Sequence, residues 1–122
     1  MVQLKDIDLL SVQEARRLLE FGEQAGLGLA KLDQKQIDAI VEAMAGAVRV
    51  SVEDLARLAV EETGRGKVSD KIIKNLFAST DVYHYIRNLR TCGVIAENKD
   101  KHVIDIGVPV GLIAAIVPTT NP

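Results

Sequence analysis

The sequence contains few of the residues that mark disulfide-stapled or nucleic-acid-binding domains. It has one cysteine in 122 residues, no tryptophan, two tyrosines and two phenylalanines. Since Cys92 has no second thiol to pair with, no internal disulfide can form, and a reducing compartment is expected. Tyr83 and Tyr85 point to different faces of a predicted helix, so they form no platform on which bases could stack.

A long apolar run and a strong net charge are both missing as well. The longest uncharged apolar run, 107–118, is shorter than the roughly 20 residues that span a bilayer. The first eight residues include Lys5, Asp6 and Asp8 and lack the apolar core of a signal peptide. A net charge of −2 favours neither nucleic acid nor an anionic membrane as a partner. We therefore expect a cytoplasmic protein.

The charge is unevenly distributed along the chain. Residues 1–62 carry 7 basic and 12 acidic groups, whereas residues 63–122 carry 8 basic and 5 acidic groups. Part of the basic excess lies in Arg65, Lys67, Lys71 and Lys74. The plainest interpretation of this cluster is a solvated helix face. A surface that binds a phosphate group is the alternative, and it would make the chain a small CoA- or nucleotide-binding protein.

Helical periodicity dominates residues 1–90. Apolar residues recur at intervals of three and four in four successive segments, which predicts four helices. Polar residues that can cap a helix precede each segment, at Ser11, Asp33, Ser51 and Ser69. Gly64 suits the end of the third helix, because glycine adopts the left-handed conformation without a steric penalty.

The spacing of apolar residues changes from a helical to a strand-like period after Arg90. Residues 103–108 alternate between two faces, and a polar turn at 97–101 precedes them, so residues 93–108 are predicted to form a β-hairpin. Residues 110–117 are apolar on both faces, which is typical of parallel sheets covered by helices on both sides. The sequence thus predicts an α/β fold whose sheet continues beyond Pro122. An unusual α+β fold, in which the four helices cover this strand, is the alternative.

Ligands of open parallel sheets bind beyond the carboxyl ends of the strands, which here means residues 118–122. Asn121 is the most interesting polar residue there, because a neutral amide can stabilise a developing oxyanion. The alternative is an ordinary asparagine in a turn. Residues 63–67, TGRGK, lack both the preceding strand and the spacing of a phosphate-binding loop, and a helix stop followed by a turn explains them.

Other candidate groups are isolated. Cys92 is the one thiol that could act as a nucleophile, but no base is obviously placed beside it, so we interpret it as a small half-buried apolar residue. His84 and His102 are predicted to lie at the surface. They belong to no cluster of metal ligands, and no metal site is predicted.

Three segments together resemble the N-terminal part of the CoA-acylating aldehyde dehydrogenases, including the aldehyde dehydrogenase half of bifunctional aldehyde–alcohol dehydrogenases. They are LAVEETGRGKVSDKIIKNLFAS at 58–79, RTCGVI at 90–95 and PVGLIAAIVPTTNP at 109–122. The resemblance implies a helical region at 1–90, an oligomerisation hairpin at 91–108 and the first strand and loop of a Rossmann-like NAD-binding domain at 109–122. It also implies a homo-oligomer.

The resemblance implies a reaction that interconverts a short aldehyde, such as acetaldehyde, and its acyl-CoA, with NAD and coenzyme A. Asn121 would then be the oxyanion donor. The NAD pocket would be lined by Ile116, Val117, Pro118, Thr119, Thr120 and Asn121. The family's cysteine nucleophile lies downstream of the segments matched here, so the isolated chain is expected to be inactive. A non-catalytic module that docks on a full-length subunit is the alternative function.

Overall fold

The computed structural model describes residues 6–118 and has the α/β composition predicted from the sequence. Helices α1 to α4 are followed by a π-helical segment, a short helix α5 and a two-stranded sheet. Their bounds are α1 Ile7–Leu29, α2 Gln34–Val50, α3 Val52–Thr63, α4 Val68–Leu76, the π segment Phe77–Val82, α5 Tyr83–Ile86, β1 Gly93–Asn98 and β2 Val103–Gly107.

The described residues form two compact units. The first contains residues 6–32 and 108–114, and the second contains residues 33–107 and 115–118. Helices α2 to α5 and the hairpin therefore belong to one unit. The domain boundaries expected from the sequence, after residues 90 and 108, remain a prediction.

Helix α1 begins earlier than its sequence pattern suggests. Asp6 is the N-cap, and its carboxylate accepts hydrogen bonds from the backbone N–H groups of Asp8 (3.1 Å) and Leu9 (3.2 Å). Ser11 lies inside the helix, where its hydroxyl donates to the carbonyl of Ile7 at 2.9 Å. The prediction of a helix cap at Ser11 is therefore wrong, because the cap is Asp6, five residues upstream.

The cap predicted for α2 is confirmed. The carboxylate of Asp33 accepts from the backbone N–H of Gln36 at 2.8 Å, and the Gln36 side chain accepts from the backbone N–H of Asp33 at 3.0 Å. Two backbone donors that have no partner inside the helix are satisfied by this exchange. Ser51 precedes α3 but makes no capping hydrogen bond, whereas Gly64 ends α3 at φ = 64° as predicted.

The predicted fourth helix contains a wider turn. Six residues, Phe77–Val82, are π-helical between α4 and α5. Arg49 of α2 donates a hydrogen bond to the backbone carbonyl of Ser79, and its guanidinium carbon lies 5.5 Å from the centre of the Tyr83 ring. A π turn redirects backbone carbonyls, so Arg49 supplies a donor at the point where the regular helical pattern is interrupted.

The predicted β-hairpin is confirmed as an antiparallel pair. Its register runs from Gly93 opposite Gly107 to Asn98 opposite Val103, with an irregularity between Val94 and Ala96. An extra residue on one strand is the signature of a β-bulge, which bends and twists a strand. At the turn, the side-chain oxygen of Asn98 accepts from the backbone N–H of Lys101 at 3.0 Å.

The strand predicted over 110–117 does not form among the described residues. A strand is defined by hydrogen bonds to a neighbour, and no third strand is present within residues 6–118. The apolar side chains of this segment are instead exposed, including Val110 at 90%. The continuous dinucleotide-binding sheet therefore stays a prediction.

Little of the apolar surface is buried within the described residues. Ala56 of α3 is the one buried apolar side chain there, whereas large apolar residues on every helix and on the hairpin are exposed. Contiguous exposed apolar surface marks regions that normally contact other protein or a ligand. None of the helices in residues 6–118 is long and apolar enough to cross a membrane.

Candidate functional site

Three of the six predicted site residues lie within the described residues, and three lie outside them. Ile116 is 99% exposed and Val117 62% exposed, and Pro118 is exposed as well. Thr119, Thr120 and Asn121 lie outside the described residues. The described half of the predicted site is therefore exposed and apolar, and the polar half, which would carry the chemistry, lies outside the described residues.

Cys92 lies between α5 and β1 and is half-buried, as predicted. Its thiol sulfur lies 3.6 Å from the side-chain carbonyl oxygen Oε1 of Gln34. A neutral amide cannot remove the thiol proton, and both histidines are exposed. Because a nucleophilic cysteine needs a base or a cationic neighbour, this arrangement does not activate the thiol.

The TGRGK segment forms a helix stop and a turn. The Thr63 hydroxyl donates to the carbonyl of Ala59 and accepts from the backbone N–H of Arg65 at 3.2 Å. Gly64 and Gly66 both have positive φ, at 64° and 79°, which favours glycine at each position. These contacts account for the two glycines without a phosphate ligand.

The four residues of the basic cluster differ in exposure. Lys71 is only 6% exposed, and Lys74 is half-buried. The interpretation of the cluster as a solvated face is therefore wrong for Lys71 and Lys74, whereas Arg65 and Lys67 are exposed as it predicts. In the part of the chain that the structure describes, no three His, Cys, Asp or Glu side chains converge on a position that could hold a metal ion.

Three grooves within the two units are apolar. In the first unit an open groove runs between α1 and residues 109–113, bordered by Gly22 and Leu112. In the second unit two adjoining grooves lie between α2 and α5, and Val41, Tyr83 and Ile86 line both of them. Such surfaces suit packing against protein rather than bond-making chemistry.

A polar cluster that the sequence did not reveal joins α2 to the start of the hairpin. Oxygen Oε1 of Gln34 accepts from the backbone N–H groups of Thr91 at 2.8 Å and Cys92 at 3.1 Å. Its nitrogen Nε2 donates to Asp38 at 2.7 Å and lies 3.4 Å from the carbonyl oxygen of Leu89. Leu89, Thr91 and Cys92 lie 55, 57 and 58 residues from Gln34 in sequence, so no local pattern could have indicated these contacts.

Comparison with known proteins assigns the chain to a group of enzymes. No protein-family model matches it. The bifunctional aldehyde-alcohol dehydrogenase AdhE of Escherichia coli K12 is 42% identical over 112 residues, which is 92% of this chain and 13% of that protein. The sulfoacetaldehyde dehydrogenase (acylating) of Cupriavidus necator is 40% identical over 101 residues, 81% of this chain and 20% of that protein.

A solved structure gives the same result. The crystal structure of an acetylating aldehyde dehydrogenase from Geobacillus thermoglucosidasius matches with a TM-score of 0.94 and 50% identity, over 98% of this chain and 26% of that one. The chain belongs to the acylating aldehyde dehydrogenases. This confirms the family expected from the three sequence segments.

The acylating aldehyde dehydrogenase match covers nearly all of this chain but a minor part of each relative. The succinate-semialdehyde dehydrogenase (acetylating) of Clostridium kluyveri, for example, is 33% identical over 107 residues, and 24% of its length is covered. The chain thus spans about a quarter or less of the curated relatives named here. The relatives' names also differ in substrate, so family membership alone does not select one aldehyde.

Proposed function

We propose that this chain supplies the N-terminal portion of an NAD-dependent, CoA-acylating aldehyde dehydrogenase that acts on a short aldehyde such as acetaldehyde. The observation that carries the proposal is the 50% identity and TM-score of 0.94 with an acetylating aldehyde dehydrogenase. At that identity the fold and about half of the side chains are shared. The Geobacillus enzyme is described as acetylating and names no larger aldehyde, which favours acetaldehyde and acetyl-CoA over the succinate semialdehyde of the Clostridium kluyveri relative.

In the proposed reaction a cysteine thiolate from the remaining part of the enzyme adds to the aldehyde carbonyl and gives a thiohemiacetal. NAD, when bound, would accept a hydride from this carbon, and loss of the hydroxyl proton would leave an acyl thioester on the enzyme. The thiol of coenzyme A attacks the thioester, releases acyl-CoA and restores the cysteine. Cys92 takes no part, since its neighbour is the neutral amide of Gln34 rather than a base.

Within this scheme the residues at 116–121 have two roles. Asn121 would donate its side-chain N–H to the oxyanion that forms when the thiolate attacks. Ile116, Val117, Pro118, Thr119 and Thr120, together with Asn121, would line the NAD pocket at the end of the first sheet strand. The high exposure of Ile116 and Val117 supports this proposal, because an apolar segment at a crevice needs a neighbouring element or ligand to cover it.

The hairpin fits the proposed assembly into a homo-oligomer in the cytoplasm. Within the described residues β1 and β2 pair only with each other, so each strand retains one edge whose backbone groups are not in a ladder. An edge of this kind can pair with a strand from another chain. The division at residues 90 and 108 follows from the proposal, with the hairpin at 91–108 as the element for subunit contact.

The proposal is tested with a chimera in which this chain replaces the matching quarter of the Geobacillus enzyme. We expect CoA- and acetaldehyde-dependent NADH formation by the chimera, measured at 340 nm, and none by the 122-residue chain alone. The physical reason is that the isolated chain has no activated thiol among its described residues. A chimera that folds but is inactive, or an isolated chain that turns over, would contradict the proposal.

A second function is favoured by the exposed apolar surface. Large apolar side chains on α1 and on the hairpin are more than 40% exposed, among them Leu9, Leu18, Phe21, Ile104 and Ile106. A chain with such faces could act as a non-catalytic module that docks on a full-length aldehyde dehydrogenase subunit. The two functions share the fold. They differ in whether the chain works as part of the enzyme polypeptide or as a separate chain bound to it.

Docking in trans predicts co-purification of a full-length acylating aldehyde dehydrogenase with the tagged 122-residue chain. We expect light scattering to show a complex of defined stoichiometry, because a specific apolar face binds a fixed number of partner subunits. A matched chain with Ile104→Glu and Ile106→Glu on the hairpin should lose the interaction. Capture in aggregates of undefined size, with no effect of the glutamates, would exclude the docking function.

A further inference from the structure

The side chain of Gln34 contacts the segment that connects α5 to the hairpin, residues 87–92, which we call the joint. Gln34 is the first residue of α2, and its amide lies against the backbone of residues 89–92. It accepts there from two successive backbone N–H groups and approaches a carbonyl oxygen of the same segment. The amide therefore pairs with this stretch much as a peptide group of a neighbouring strand would.

Few other side chains could take this position. Thr91 and Cys92 each present a backbone N–H, and both need an acceptor, whereas Leu89 presents a carbonyl that needs a donor. A side-chain amide offers a donor and an acceptor of fixed geometry on one terminal carbon, so both reach the same stretch of backbone. Asp38, one turn further along α2, accepts from Nε2 at 2.7 Å and so fixes which end of the amide faces the joint.

Two side chains bond to the backbone at this joint: Gln34 from α2, and Arg90 of the joint itself, whose Nη1 donates to the carbonyl of Val94 in β1 at 3.3 Å. The short helix α5 ends at Ile86, and β1 begins at Gly93, so residues 87–92 belong to neither element. The backbone N–H of Leu89 bonds to the carbonyl of Ile86, and those of Thr91 and Cys92 bond to Gln34. Gln34 is consequently the side chain that ties the backbone just before β1 to a distant helix, whereas the Arg90 contact is local.

We propose that Gln34 is a positioning residue that fixes the exit of the hairpin from the helical part of its unit. It does so by holding the backbone of Thr91 and Cys92 against the start of α2. The hairpin edges are then presented in one orientation to a second copy of this chain. This last step rests on the proposed assembly, whereas the hold on the joint does not.

The test uses Cys92 as its probe. It is the sole thiol of the chain and lies next to Gln34, so its rate of reaction with Ellman's reagent reports opening of the joint. Gln34→Ala should raise that rate about tenfold, since two backbone N–H groups lose their acceptor. Gln24→Ala, an exposed glutamine of α1, is the matched control and should leave the rate unchanged.

A second variant separates the two halves of the amide. Gln34→Glu keeps the acceptor for Thr91 and Cys92 but loses the donor toward Leu89 and places a second carboxylate beside Asp38. The labelling rate of this variant should lie between those of the wild type and Gln34→Ala. A rate for Gln34→Ala within twofold of the wild type would overturn the proposal.

Hydrogen exchange distinguishes a local hold from general destabilisation. The amides of Thr91 and Cys92 should exchange faster in Gln34→Ala, while the amides inside α3 keep their wild-type rates. Equal acceleration in both places would overturn the positioning role. Light scattering of the wild-type chain tests the assembly separately, so a monomer would contradict the oligomer and leave the result for the joint unaffected.

Discussion

Replacing Asn121 by alanine in the active chimera is expected to lower kcat by about 10²–10³-fold, with little change in KM for the aldehyde. Attack by the thiolate turns the carbonyl oxygen into an oxyanion, and an amide N–H aimed at that oxygen stabilises the charge more than it stabilises the neutral aldehyde. A loss confined to kcat is the signature of an interaction made mainly in the transition state. NADH formation over a range of acetaldehyde concentrations gives both constants.

Two further variants define the effect at Asn121. Asn121→Asp is expected to be at least as slow as the alanine variant, because a carboxylate next to the oxyanion adds repulsion. Asn88→Ala is the matched control, since Asn88 is an exposed asparagine between α5 and the hairpin and should keep full activity. If Asn121→Ala retains kcat within twofold of the unmodified chimera, Asn121 is a turn residue after all.

Gly107→Ala is expected to destabilise the hairpin by about 1–3 kcal/mol, through steric overlap. A Cβ atom on Gly107 would meet the backbone carbonyl of Thr91 and would lie 2.8 Å from the Cδ1 atom of Ile95. A flexible side chain such as Ile95 can move away, but the carbonyl of Thr91 is part of the joint that Gln34 holds. Relief of the overlap thus requires either strand separation or movement of the joint.

The free energy of opening of the hairpin is measured by hydrogen exchange at the amides of residues 94–98. The matched control is Gly46→Ala in α2. There the nearest atom to the new Cβ would be Nη2 of Arg49 at 3.7 Å, an ordinary van der Waals distance. That variant should be neutral or more stable by about 0.5–1 kcal/mol, because alanine is the better helix former. Unchanged exchange in Gly107→Ala would show that Thr91 has more freedom than the structure indicates.

The elements whose signals are local could be predicted from the sequence. The Asp33–Gln36 capping box and the stop at Gly64 depend on residues within one helical turn, and both are confirmed. The hairpin depends on alternation over a few residues and is also confirmed. The start of α1 was missed because Asp6 lies too far before the helically spaced apolar residues for spacing alone to link it with them.

The contacts between distant segments could not be predicted. Arg49 reaches Ser79 across 30 residues, and Gln34 reaches Thr91 across 57. The burial of Lys71 likewise depends on how α3 and α4 pack against each other. The spacing of apolar residues within either helix does not indicate that packing. The predicted site was inferred from the family resemblance, and its polar residues lie outside the described part of the structure.

The sequence by itself determined the class of the fold, the family and the order of its helices and hairpin, because caps, periodicity and motif spacing act over short distances along the chain. Only the tertiary structure decided that Cys92 faces an amide rather than a base, and that Gly107 leaves room for the carbonyl of Thr91. It also decided that a glutamine at the start of α2 holds the hairpin's joint. These features depend on side chains meeting backbone groups from another part of the chain, and folding alone brings them together.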